Sequence, residues 1–171
     1  MSIKFAAVFI CFLIFQSCGN NSGSGSGENN YDELSVISQE KLSKIISDRD
    51  GKILFINVWA TWCKPCVEEF PDLVRLYNNY EKNIDFVSLS VDQLSDKESL
   101  VIPFLKEQNA NFPAYLVDEQ KTEEFINQLN KEWSGAVPAS FVYNEKGELV
   151  KFILGANEYK YFAGVIDSLK S

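Results

Sequence analysis

The chain contains no histidine. That one absence removes Ser-His-Asp hydrolases, imidazole acid–base catalysis and every histidine-ligated metal site. Basic residues are also in deficit: 16 Lys and Arg stand against 24 Asp and Glu, a formal net charge of -8. A chain this acidic lacks the basic face that a phosphate backbone requires, so nucleic acid is not an expected partner. Glycine (9) and proline (5) are sparse, and no internal repeat is visible. Against these shortages, 46% of the 171 residues are hydrophobic, enough to bury the core of one domain and too many for a disordered or fibrous chain.

A long hydrophobic run is missing too. Phe5 to Phe15 is an apolar stretch of eleven residues behind the single charge of Lys4. A spanning helix needs about 20 such residues, whereas a secretory signal needs only this length. The run closes on Phe15-Gln16-Ser17-Cys18-Gly19, which resembles the bacterial lipobox, with Phe15 where leucine is usual. The resemblance implies removal of residues 1–17, Cys11 included, and lipidation of Cys18. Residues 19–30 hold no apolar side chain and alternate Gly with Ser over part of their length. They read as a flexible tether reaching about 20 Å. The expected organisation is therefore a signal segment (1–17), a lipidated cysteine and linker (18–30), and one folded domain (31–171) held on the outer side of the cytoplasmic membrane.

Within that domain, Leu34 to Ile37 read as a short strand, and Ser38 caps a helix bearing Leu42, Ile45 and Ile46 on one face. Asp50-Gly51 is a turn. Ile53 to Trp59 is an apolar run without clear alternation, as in a central strand covered on both faces. A helix is expected from about Cys63 to Tyr80, kinked at Pro71. Ile84 to Val91 completes a β-α-β unit, which predicts parallel strands and a right-handed crossover. Ser95 to Glu98 has capping-box spacing ahead of a helix over Leu100 to Gln108. A strand at Phe112 to Val117, a helix at Thr122 to Asn130, a hairpin of Ala139–Tyr143 with Leu149–Leu154, and an amphipathic C-terminal helix follow. The sum is an α/β fold with a mixed sheet and helices on both faces.

The chemistry concentrates at Trp62-Cys63-Lys64-Pro65-Cys66, where the central strand gives way to a helix. Cysteines at i and i+3 of a helix face the same way and can close a disulfide. Cys63, at the first turn, meets unpaired N–H groups, the positive end of the helix dipole and the adjacent Lys64 ammonium, all of which favour a thiolate. Cys66 lies deeper and reads as the buried resolving thiol. Other uses of the pair are weaker. A structural disulfide closing so short a loop removes little denatured-state entropy. Zinc needs two further soft ligands, and a copper site would want His or Met nearby, whereas Met1 is the one methionine. No metal and no cofactor beyond the cysteine pair is expected.

Residues 55–71, Phe-Ile-Asn-Val-Trp-Ala-Thr-Trp-Cys-Lys-Pro-Cys-Val-Glu-Glu-Phe-Pro, resemble the active-site segment of the TlpA/ResA-like family of membrane-tethered thiol–disulfide oxidoreductases. Gly135 to Phe141 resembles its second signature, a loop with a cis-proline. The resemblance implies a thioredoxin-like fold with an extra α-β segment (about 95 to 130) inserted before that loop. It implies that Cys63 attacks a substrate disulfide and Cys66 resolves the mixed disulfide. Pro138 then faces the pair in cis, Val137 offers its backbone to an extended substrate, and Trp62, Lys64 and Pro65 flank the substrate surface. Thioredoxin keeps a buried Asp where this chain has Asn57, and the resemblance points instead to Glu69 as the carboxylate that takes the Cys66 proton, while Glu68 reads as an exposed helix residue. Trp59 is expected in the core; Trp133 is open between core and recognition rim. Partners implied are protein thiols and disulfides, a membrane thiol electron carrier and the membrane itself through Cys18. The setting is the cell envelope, facing the periplasm or the exterior. A reductant is favoured, with apocytochrome c thiols as one target. Two alternatives stay open: a tethered peptide-binding module with an inert disulfide, and a peroxiredoxin-like peroxidase, which lacks its P-x-x-x-T-x-x-C context.

Overall fold

A computed structural model describes residues 34–170; the expected signal segment, Cys18 and the linker lie outside the described residues. The elements run β1 (Ser35–Val36), α1 (Gln39–Ser47), β2 (Ile53–Trp59), α2 (Lys64–Tyr80), β3 (Ile84–Ser90), α3 (Ile102–Glu107), β4 (Ala114–Leu116), α4 (Thr122–Leu129), β5 (Ala139–Tyr143), β6 (Leu149–Leu154) and α5 (Tyr159–Leu169). The six strands form one sheet in the order β1-β4-β3-β2-β5-β6. β1, β4, β3 and β2 are mutually parallel, while β5 runs antiparallel to β2 and β6 antiparallel to β5. This is the expected mixed sheet and thioredoxin-like arrangement, with the α-β insertion (α3, β4, α4) ahead of β5.

Every residue of β2 is buried, and the strand's period of two divides it between two cores. Ile53, Phe55 and Trp59 join Phe70, Leu73 and Leu76 of α2, Leu105 of α3 and Phe162 and Ile166 of α5 on one face. Leu54, Ile56 and Val58 join Leu42 of α1 and Phe125 and Leu129 of α4 on the other. The first face is largely aromatic. Phe70 packs against Trp59 (centroids 4.7 Å), Phe104 (4.8 Å) and Phe112 (5.9 Å), and Phe55 stacks on Phe86 at 5.2 Å. Trp59 is a core residue, as expected, and its indole donates to Ser88 Oγ at 2.6 Å.

Two local expectations are corrected. Ser95 does not cap a helix: residues 94–96 form a 3-10 turn and Lys97–Val101 a wide π turn, with α3 beginning only at Ile102. Pro103 supplies the reason, because a proline without an N–H is accommodated at least cost in the first turn of a helix, where it sits in α3. Pro71 sits inside α2, as expected, and the helix continues past it to Tyr80, with Phe70, Leu73 and Leu76 buried beside it. The first strand is only two residues long, because α1 begins at Gln39 under the Ser38 cap, whose side chain accepts from Lys41 N. In the β5–β6 hairpin Gly147 has φ +77°, and a Cβ there would lie 2.7 Å from the Ile46 carbonyl oxygen, so glycine is required.

Phe70 is wholly buried among three aromatic neighbours. Phe70→Ala is expected to cost about 3–5 kcal/mol of stability, read as a lower urea midpoint with an unchanged slope.

Candidate active site

β2 ends at Trp59, and the chain turns through Ala60, Thr61 and Trp62 before α2 begins. Cys63 is the N-cap of α2, one residue earlier than the first-turn position expected, and its sulfur accepts the Cys66 N–H at 3.3 Å. Cys63 and Cys66 are joined by a disulfide, with Cα atoms 5.2 Å apart. Cys63 retains 6% exposure and Cys66 none, which orders the two sulfurs as outer and inner. Among their flanking residues Trp62 is 67% exposed, and Lys64 and Pro65 are exposed. The Lys64 ammonium is drawn to Glu68 one turn along, at 3.5 Å. Its charge is thus shared with a carboxylate, and the helix N-terminus is left as the main source of positive potential at Cys63.

β5 begins beside this point. Its register sets Ala139 opposite Val58 and Ser140 opposite Asn57, so Val137 and Pro138 stand at the same end of the sheet as the cysteine pair. The Val137–Pro138 bond is cis. Pro138 is buried and Val137 half-buried. The loop ahead of them is braced by Trp133, which packs on Phe125 and Phe141 and donates its indole N–H to the Ala136 carbonyl at 2.9 Å. With 3% exposure, Trp133 belongs to the core and not to a recognition rim.

Beneath Cys66, one turn along α2, lies Glu69, 4% exposed. Its Oε1 accepts from Asn57 Nδ2 at 3.1 Å and its Oε2 from the Asn157 backbone N–H at 3.1 Å. Burial pushes its pKa up from 4.5 to about 7, against the lowering effect of those two hydrogen bonds and with a small further rise from Asp72. Glu68 is exposed, as expected of a helix-surface acid. A second buried carboxylate was not anticipated. Asp92, 1% exposed, follows β3 and accepts the Thr61 N–H at 3.0 and 3.1 Å, the Thr61 hydroxyl at 2.5 Å and the Ser90 hydroxyl at 2.7 Å. It fastens the turn that carries Cys63. The available signal was its position, an acid just past the carboxyl end of an apolar parallel strand, where α/β sheets build their sites. Asn157 carries no such signal. A cavity of about 510 Å³ opens elsewhere, lined by residues including Lys41, Arg49, Asp85 and Phe86, and contains none of the expected site residues.

Comparison with known proteins agrees with this geometry. The redoxin family matches residues 34–165. The thiol–disulfide oxidoreductase ResA of Oceanobacillus iheyensis is 31% identical over 140 residues, covering 80% of this chain and 68% of that one. ResA of Bacillus cereus is 30% identical over 125 residues, covering 72% and 67%. Among solved structures, a DsbF homologue from Corynebacterium diphtheriae superposes with a TM-score of 0.63 at 26% identity, covering 71% of this chain and 74% of that one. The chain belongs to the redoxin family, in its ResA-like thioredoxin-fold branch, and is a thiol–disulfide oxidoreductase.

Two outcomes follow from the buried acids. Asp92→Ala removes the acceptor of the Thr61 bonds and is expected to lower stability by about 2–3 kcal/mol in chemical denaturation. Glu69 binds its proton more tightly folded than unfolded, so its contribution makes stability fall as pH rises from about 4.5 to about 7. Glu69→Gln should flatten that part of the stability–pH curve; an equally steep curve in the variant would place the titration elsewhere.

Proposed function

We propose that this oxidoreductase works as a lipid-anchored reductant of protein disulfides on the outer side of the cytoplasmic membrane. One observation carries the reading. A buried carboxylate titrating near neutrality lies one turn below the inner cysteine of a pair set at a helix N-terminus. In the reduced enzyme, the Cys63 thiolate attacks one sulfur of a substrate disulfide. A mixed disulfide forms and the other substrate sulfur leaves as a thiolate. Cys66 then gives its proton to Glu69 and attacks the Cys63 sulfur. That step closes the Cys63–Cys66 disulfide and expels the second substrate sulfur as a thiolate, so two electrons have passed to the substrate. A group titrating near 7 is suited to accept a thiol proton and return it at the next reduction.

The surroundings support a macromolecular substrate. Trp62, Lys64 and Pro65 are exposed around the outer sulfur, and the Val137–Pro138 entry to β5 lies at the same end of the sheet. There Val137 pairs its backbone with an extended substrate segment, as in strand addition. The lipid anchor at Cys18 rests on the Phe15–Gly19 motif. No helix among the described residues is long and apolar enough to cross a membrane. A membrane thiol carrier returns the enzyme to its dithiol form. Apocytochrome c, whose haem-binding cysteines must be reduced before attachment, is the substrate that the family resemblance favours.

Cys66→Ser tests the protein substrate directly, because it leaves Cys63 to attack with nothing to resolve the product. A mixed disulfide with a host envelope protein should accumulate and disappear on thiol treatment; its absence would overturn the claim. For the proton acceptor, Glu69→Gln should remove an inflection near pH 7 from the alkylation rate of the reduced cysteines. An unaltered profile assigns Glu69 a packing role. Failure to reduce insulin, with a potential well below about -300 mV, would leave the inert-disulfide module as the better description.

A further inference from the structure

Asn57 is the one polar residue of β2, it is wholly buried, and its bonding is lopsided. The amide nitrogen makes two bonds, to Glu69 Oε1 and to Ser140 Oγ, each 3.1 Å long. The amide oxygen, equally buried, has no partner among the described residues. A buried acceptor left unpaired costs about 1–3 kcal/mol. Such a group persists where it serves another state of the site.

We propose that Asn57 is a positioning residue that reads the protonation of Glu69 by turning its amide end for end. In the structure Nδ2 donates one hydrogen to Oε1 and the other to Ser140 Oγ, the arrangement that suits an ionised Glu69. When the carboxyl carries a proton on the Asn57 side, a donor faces a donor. The other carboxylate contact cannot adapt, because Oε2 is held by the Asn157 backbone N–H, whose direction is set by the chain. The Asn57 amide can adapt. A half-turn about its terminal torsion exchanges Nδ2 for Oδ1, which then accepts from the Glu69 hydroxyl and from the Ser140 hydroxyl. Ser140 permits this because its hydroxyl both donates and accepts and rotates to suit. An aspartate at position 57 would add a second negative charge about 3 Å from Glu69, and an apolar residue would leave either form of the carboxyl without its partner.

The neighbours of Glu69 make the assignment specific. β2 presents Asn57, β5 presents Ser140 beyond it, and the segment before α5 presents a backbone N–H, all neutral. The inner sulfur of Cys66 lies on the same helix, and the charge acting on Glu69 is that of Asp72, also on α2. An amide of fixed charge is therefore what the central strand offers to a proton that comes and goes. The proposal deepens the reading of Glu69 as proton acceptor and rests on it for its role in turnover, although the pivot itself is a property of the resting protein.

The test uses the full-length chain with the Cys63–Cys66 disulfide closed, so that neither cysteine of the active pair titrates. The Glu69 side-chain carboxyl is followed by 13C NMR and the Asn57 side-chain NH2 by 15N NMR across pH 5 to 9, about two units either side of the midpoint. The amide resonances should move with the same midpoint as the carboxyl, and that movement should vanish in Glu69→Gln. Amide resonances that stay still while the carboxyl titrates would overturn the pivot. Asn57→Val, close in size and suited to a strand, removes the donor to the ionised form. It removes the acceptor of the protonated form as well, but the bond to the charged form is the stronger of the two, so the Glu69 midpoint should rise by about one unit, whereas an unmoved midpoint counts against Asn57 as the partner that sets it. The alkylation profile of reduced Glu69→Gln separates this from the proton-acceptor reading. If that profile is unchanged while the amide still tracks the carboxyl, the pivot stands and the catalytic use of Glu69 falls.

Discussion

The rest of the structure depends on the burial of β2 from both sides. Hydrogen-bonded to β3 on one edge and β5 on the other, with helices across each face, it has no exposed residue over its seven positions. A strand so enclosed must be apolar, or its polar groups must find partners inside the protein. It must also deliver the chain to a fixed point at its carboxyl end. Both consequences meet at the cysteine pair. Position 57 has the parity of Phe55 and Trp59, so its side chain enters the space beneath α2, where Glu69 of that helix and Ser140 of the paired strand complete its bonds. The disulfide and the buried acid, both on α2, are thereby held against the amide on β2 within one core.

Charge is arranged around the pair with economy. The exposed cation next to Cys63 is engaged with Glu68 in a solvent-facing pair, of the kind that contributes little. What remains is fixed by the backbone: the N-terminus of α2 at the outer sulfur, and the buried acid below the inner one. Two carboxylates are buried near the site, and they differ in their surroundings. Asp92 accepts from three donors, the Thr61 N–H shared between its two oxygens and the Thr61 and Ser90 hydroxyls, and anchors the Thr61 turn. Glu69 accepts from two, and desolvation outweighs them, so its proton is held to near neutral pH.

Much of the fold was legible because periodicity reports burial directly. The apolar run of β2, the helical spacing of α2 and the turn at Asp50-Gly51 all led to the observed elements. Reading failed where two local rules competed. Ser95 to Glu98 has the spacing of a capping box, yet Pro103 delays the helix to Ile102 and the intervening residues take 3-10 and π turns. Trp133 stayed ambiguous because an isolated tryptophan beside a loop has no period from which to infer its environment; only its contacts with Phe125 and Phe141 place it inside.

By itself the sequence determined the chemistry: two cysteines at helical spacing, no histidine to divert them to a metal, and a carboxylate one turn beyond them. These are local facts, set by residue type and by distances along the chain that a helix converts into distances in space. Tertiary structure alone decided how that chemistry is tuned. Asn57 and Ser140 are 83 residues apart, and Glu69 and Asn157 are 88 apart. No local pattern records such contacts, because they exist only once strand register and helix packing have been established together. The pKa of a buried acid depends on what surrounds it after the chain has closed, and that is a property of the fold.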